Sequence, residues 1–155
     1  MDYRGLTMLA SKFVGEFTGD ITGDKAGVPT TYTIGLAASA TTDGMDITVT
    51  AKDKDGETLT GVHPFIWYIS EADTGIGITA DTYSGDVTTV SPSGGELVEL
   101  VSKKVFLCVT AATGIWTGLA VASANPTDQY VVVINPYTGG LVVSAVSGTN
   151  WEGAA

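Results

Sequence analysis

Asp46-Ile47-Thr48-Val49-Thr50-Ala51-Lys52-Asp53 alternates apolar and polar residues without a break, and Asp55-Gly56 follows at once as a turn. A period of two puts Met45, Ile47, Val49 and Ala51 on one side and Asp46, Thr48, Thr50 and Lys52 on the other. Such a segment is a half-buried strand in a sheet with one wet face. The same grammar recurs along the chain. It predicts strands over 30–39, 45–52, 64–70, 86–90, 96–101, 104–111, 115–122, 129–134 and 141–147. Turns come from Asp43-Gly44, Asp55-Gly56, Ser93-Gly94-Gly95, Ala112-Thr113-Gly114, Asn125-Pro126 and the run from Asn135-Pro136 to Gly139-Gly140. Short strands at this spacing, with no helical spacer between them, define an all-β chain and favour a two-sheet sandwich over an α/β fold.

A chain of 155 residues buries a real core and makes one domain with a short extension. Residues 1–28 form that extension: Gly5, Gly15, Gly19, Gly23 and Gly27 interrupt any long pattern, and Pro29 closes it. A short helix fits around Leu6 to Phe13. Leu6, Met8, Leu9, Phe13, Val14 and Phe17 give the segment more apolar content than a free linker needs, so it either packs on its own domain or docks as an arm on a neighbouring subunit. The sandwich domain is expected over 29–155.

Two segments break the alternation. Phe65-Ile66-Trp67-Tyr68-Ile69 and Tyr130-Val131-Val132-Val133-Ile134 are apolar on both faces, so each is a strand covered on its outer side or part of a subunit contact. Homo-oligomerisation is the corresponding expectation.

Charge excludes some partners. A net charge of -10 repels nucleic acid and anionic membrane, and no basic stripe offsets it. Met1-Asp2-Tyr3-Arg4 lacks a basic region leading into a long apolar stretch. Cytoplasmic synthesis without secretion is the expectation, compatible with later incorporation into a particle. Cys108 is the only cysteine, so an intrachain disulfide is impossible.

Residues with chemistry are scattered. His63 precedes Pro64 and should open a strand where its ring reaches a backbone partner or water, and no cysteine or second histidine stands by it to suggest zinc. Cys108 alternates with Phe106 and Thr110 and reads as buried packing, not as a nucleophile. No Gly-x-Ser-x-Gly elbow is present. Asp53-Lys54-Asp55-Gly56-Glu57 is the densest acidic group, but it lacks the spacing of a helix-loop-helix calcium site and reads as a tight hairpin turn. No cofactor is expected. Aromatic contact candidates are Trp116, read as core or subunit packing, Tyr137 at a loop tip with Asn135 exposed beside it, and Trp151 as a tether for the C-terminus.

The run from Ile47 through Asp55-Gly56 to Gly61-Val62 resembles the strand, acidic-Gly turn and short return of immunoglobulin-like domains in bacterial surface and phage structural proteins. Thr110 to Leu119 resembles their later turn, with Ala112 and Thr113 where Asp or Asn is more usual. From Met45 through Ser147 the chain also resembles small virion proteins of tailed phages that decorate the capsid or form head fibres. The resemblance implies an immunoglobulin-like β-sandwich and a non-catalytic role in the virion, assembled in the host cytoplasm. Such a protein binds the major capsid protein or another virion protein, bridges capsomers and resists internal pressure, often as a trimer. Leu6, Leu9, Phe13, Phe17, Trp67, Tyr137 and Trp151 are the candidate interface residues. Receptor or carbohydrate binding by a tail fibre or adhesin is the alternative.

Overall fold

The computed structural model describes residues 27–78, 89–122 and 128–150. They form nine strands: β1 (Thr31–Ala38), β2 (Gly44–Lys52), β3 (Pro64–Ser70), β4 (Thr89–Gly94), β5 (Glu96–Val101), β6 (Val105–Val109), β7 (Ile115–Val121), β8 (Tyr130–Ile134) and β9 (Leu141–Val146). A single 3-10 turn, Gly148–Asn150, follows β9. The helix expected around Leu6 to Phe13 and the Asn125-Pro126 turn lie outside the described residues.

All strand pairs within the two sheets are antiparallel. One sheet has four strands in the order β1-β2-β7-β4, and the other has five in the order β5-β6-β3-β8-β9. The sandwich predicted from alternation is thus the observed architecture. Met45, Ile47, Val49 and Ala51 are buried, as their period of two requires, while Asp46 on the opposite side is exposed. Each sheet presents one face to the other, and large rings fill the space between. Trp67 stacks on Phe106 at 4.5 Å between ring centres and lies 6.0 Å from Trp116, which receives Phe65 edge-on at 5.9 Å. Tyr32 packs 5.5 Å from Phe65, and its hydroxyl donates to the Pro64 carbonyl at 2.8 Å, so the first strand is tied to the second sheet by both ring and hydrogen bond.

The two open sides of the sandwich close differently. On one, β1 packs against β9. On the other, the chain itself passes from sheet to sheet: β4 ends at Gly94, Gly95 turns with φ of +84°, and β5 begins at Glu96. A Cβ at Gly95 would sit against the Val109 carbonyl and 2.9 Å from Cδ1 of Trp116, so only glycine fits this corner. Here the structure corrects the sequence reading. Ser93-Gly94-Gly95 is not a turn between strands; Ser93 and Gly94 finish β4, across a bulge after Pro92, and Gly95 alone makes the switch. The strand expected over 86–90 accordingly runs from Thr89 to Gly94.

Candidate functional site

The outer faces of the two sheets differ in chemistry, and the difference follows from sequence. On the four-stranded sheet Thr33 lies opposite Thr50, and Gly35 opposite Thr48, which faces Thr117 in turn. Ser93 donates its hydroxyl to that of Thr117 at 2.9 Å. This face is a wet, hydroxyl-bearing one. On the five-stranded sheet Phe65, Trp67 and Ile69 point into the core, so Ile66 and Tyr68 point outward. Ile66 faces Leu107 and Ile134, Leu107 faces Val98, and Ile134 faces Leu141. One apolar side chain per strand therefore forms a row across all five strands, Val98-Leu107-Ile66-Ile134-Leu141. The outer members, Val98 and Leu141, are 57% and 46% exposed.

A second row beside it is covered from within. Tyr68 faces Val105 and Val132, and Val132 faces Val143. The loop after β3 folds back over this row: the Tyr68 hydroxyl donates to the Gly75 carbonyl at 2.5 Å, and Gly75 lies against Val132 and Val143. Burial raises the Tyr68 phenol above its ordinary value. Of the two expectations for the doubly apolar strands, cover on the outer side accounts for this row, while the first row stays partly open.

The edge of the same sheet is also apolar. In β5, Val98, Leu100 and Val101 are each about half exposed, at 57%, 51% and 48%. β5 is an edge strand, and it carries no proline, whereas β4, the other strand on this side, carries Pro92. Proline, charge and bulges are the usual devices that blunt an edge. β5 uses a bulge between Glu99 and Val101 and the acids Glu96 and Glu99, but leaves its apolar residues in water.

The candidates from sequence fall into three groups. Trp67 is fully buried between the sheets; it is a core residue and not an interface residue, because its strand position is even with Phe65 and Ile69 on the inner side. Tyr137 does stand at a loop tip, 47% exposed, beside a cleft of about 160 Å³ lined by Val28, Pro29, Thr30, Tyr137 and Thr138. Asn135, expected beside it in solvent, is instead 1% exposed. Its side-chain amide donates to the carbonyls of Pro29 and Thr30 at 3.0 and 3.1 Å, and its Oδ1 accepts from the Tyr137 amide at 2.9 Å. Asn135 is thus a buried clamp between the β8–β9 hairpin and the entry to β1. An Asn-Pro pair reads as a turn, and nothing in the sequence joins it to residues over a hundred positions earlier. Leu6, Leu9, Phe13, Phe17 and Trp151 lie outside the described residues.

His63 stands immediately before β3 and does not open it as expected: the strand begins one residue later, at Pro64. Its amide donates to Oγ1 of Thr110 at 2.9 Å, and its Nε2 lies 3.2 Å from the Thr60 carbonyl. Trp116 is fully buried in the core. Cys108 is buried as well, and burial pushes its thiol up to about 12, against a smaller opposing influence from Trp67. Such a thiol is protonated and inert at neutral pH. Asp53 shapes a tight turn: its Oδ1 accepts from the amides of Asp55 and Glu57, each at 2.9 Å. Among the described residues no group of three or more His, Cys, Asp and Glu side chains converges, and no helix is long and apolar enough to cross a membrane.

No family model matches the chain, and comparison with curated proteins and with solved structures finds no match.

Proposed function

We propose that this chain is a non-catalytic structural protein of a phage virion, which decorates the capsid and stabilises it by docking on the major capsid protein or another virion protein. The observation that carries the reading is the β5 edge, with Val98, Leu100 and Val101 in solvent on a strand that has no neighbour on its outer side among the described residues. An edge that leaves apolar side chains in water despite its bulge and acids is suited to pairing with a strand or apolar ledge of another chain. One such contact is modest, but repetition over a symmetric shell makes it persistent, because each docked copy holds the next contact at high effective concentration. The resemblance of 45–147 to capsid-decorating proteins supplies the virion. The immunoglobulin-like reading has support in the strand order, since β1-β2-β7-β4 and β9-β8-β3 follow the A-B-E-D and G-F-C orders of immunoglobulin sheets. The insertion of β5 and β6 between β4 and β7 is this chain's own variation.

Receptor or carbohydrate binding is favoured by one observation, the exposed Tyr137 ring beside its cleft. At about 160 Å³ that cleft is below the roughly 300–1,000 Å³ of ordinary ligand pockets, so it ranks second. Cryo-electron microscopy of particles that carry the chain tests the first reading. Density for the sandwich at symmetry-related positions on the outer shell, with β5 toward its neighbour, is the expected result; its absence from the shell lattice sinks the proposal, and selective glycan-array binding that depends on Tyr137 would transfer the case to the second.

A further inference from the structure

We propose that Asp55, in the Asp55-Gly56 turn, is the site of spontaneous isomerisation of aspartate to isoaspartate in this chain, and that the fold protects its other Asp-Gly pair, Asp43-Gly44. The inference goes beyond the virion reading and does not depend on it.

The two pairs are alike in sequence. Each follows an aspartate with a residue that has no Cβ, so no side chain hinders attack by the glycine nitrogen on the aspartate carboxyl. In that step the Gly56 nitrogen bonds to Cγ of Asp55, and the amide proton leaves with the carboxyl hydroxyl as water, closing a succinimide ring. Water then adds to one of the two ring carbonyls. Opening at Cγ restores aspartate. Opening at the main-chain carbonyl carbon leaves the backbone running through Cγ, one methylene longer and with no change in mass.

The structure separates them. Gly44 is buried at the start of β2, where its amide donates to the Thr41 carbonyl at 2.9 Å, and the Asp43 carbonyl accepts from the Ala122 amide at 3.0 Å. Both ends of the Asp43-Gly44 peptide group are therefore bonded. A Cβ at Gly44 would lie 2.7 Å from the Thr41 carbonyl oxygen and 3.0 Å from both Leu119 and Ser39, so the backbone there has little room to turn. Ring closure, which needs the peptide group to rotate toward the carboxyl, is opposed on every side.

Asp55 and Gly56 are exposed, and a Cβ on Gly56 would meet nothing within 4 Å. The Gly56 amide donates to the Asp53 carbonyl at 3.2 Å. That is longer than the usual length of about 2.9–3.0 Å. An exposed turn held this way opens locally at small cost, which lets the carboxyl reach the nitrogen. The brake on it is Asp53, whose Oδ1 accepts from the amides of Asp55 and Glu57. The added methylene falls between bonds that align the hairpin, from the Asp53 amide to the Glu57 carbonyl at 3.1 Å and from the Leu59 amide to the Ala51 carbonyl at 2.9 Å. Leu59 packs on the core, so the change loosens a segment that the sandwich uses.

The test is to age the full chain at 37 °C, folded and in urea, and to resolve the peptides that span each pair by chromatography with fragmentation mass spectrometry. In the folded chain an equal-mass second form carrying isoaspartate should grow at Asp55 at least five times as fast as at Asp43, and in urea the two rates should come within twofold of each other. Equal folded rates, a faster Asp43 or no conversion at either folded pair overturns the proposal. The same bias persisting in urea assigns it to sequence and overturns protection by the fold. As a second readout, Asp53→Ala removes the side-chain brake and should speed conversion at Asp55 at least twofold with the rate at Asp43 unchanged; a rate at Asp55 that does not rise overturns the part given to Asp53.

Discussion

The Trp116 indole lies flat across Gly118, two residues along the same face of β7, and a Cβ there would come within 2.6 Å of Cζ2 of the ring. Gly118→Ala should therefore force the indole off its bed and weaken its contacts with Phe65 and Trp67, costing about 1–3 kcal/mol as overpacking does. Urea unfolding followed by tryptophan fluorescence measures this as a lower midpoint at unchanged slope. Sequence left Trp116 between core and subunit packing, and it gave no sign of the glycine's part: Gly118 is there only a weak strand former between Thr117 and Leu119. The Cys108 thiol makes a second prediction at this scale. Its ordinary value of 9.0 is raised to about 12 in the folded state by burial, so the folded chain holds a proton that the unfolded chain releases. Stability from this group is complete below pH 9 and falls as pH rises towards 12, by about 1.4 kcal/mol per pH unit at most. Cys108→Ala should flatten that part of the alkaline limb, and chemical denaturation at pH 8, 9.5 and 10.5 reads it. A parallel loss in both proteins would assign the limb to other groups, with Tyr32 and Tyr68, also raised by burial, next in order.

Among the elements, the passage from β4 to β5 holds the two sheets at one side by a single residue with positive φ. Gly95→Ala meets backbone strain and the Val109 carbonyl together, so a loss of about 2 kcal/mol or more is expected, with the far-UV spectrum retained below the transition. This corner was misread in sequence because Ser-Pro-Ser-Gly-Gly has the composition of a turn. An edge strand tolerates proline and glycine where a central one does not, and edge position is a tertiary fact. The central strands were legible for the opposite reason: Phe65 to Ile69 and Tyr130 to Ile134 are so apolar that no exposed placement is affordable. What the sequence left open was how their outer sides are covered, since the cover over Tyr68 and Val132 is the glycine-rich loop through Gly75. The β5 edge gives the matching prediction. Val98→Lys with Leu100→Lys replaces half-exposed apolar groups on an outer strand, so stability should change by under about 1 kcal/mol while attachment weakens.

For the whole molecule, the asymmetry of its surfaces organises the account: a threonine face on one sheet, an apolar row and an open apolar edge on the other. The candidate site was only partly visible in the sequence for this reason. Trp67 and Ile66 are neighbours in a segment that is apolar throughout, and only the pairing of β3 with β6 and β8 decides that one fills the core while the other joins a surface row. The most direct test of the assembly claim is cosedimentation of purified chain with shells stripped of it, comparing wild type with the Val98→Lys, Leu100→Lys variant. The account predicts saturable binding at a fixed ratio to the shell subunit for wild type and at least tenfold weaker binding for the folded variant; wild-type chain that stays in the supernatant, or a variant that binds equally well, would contradict it.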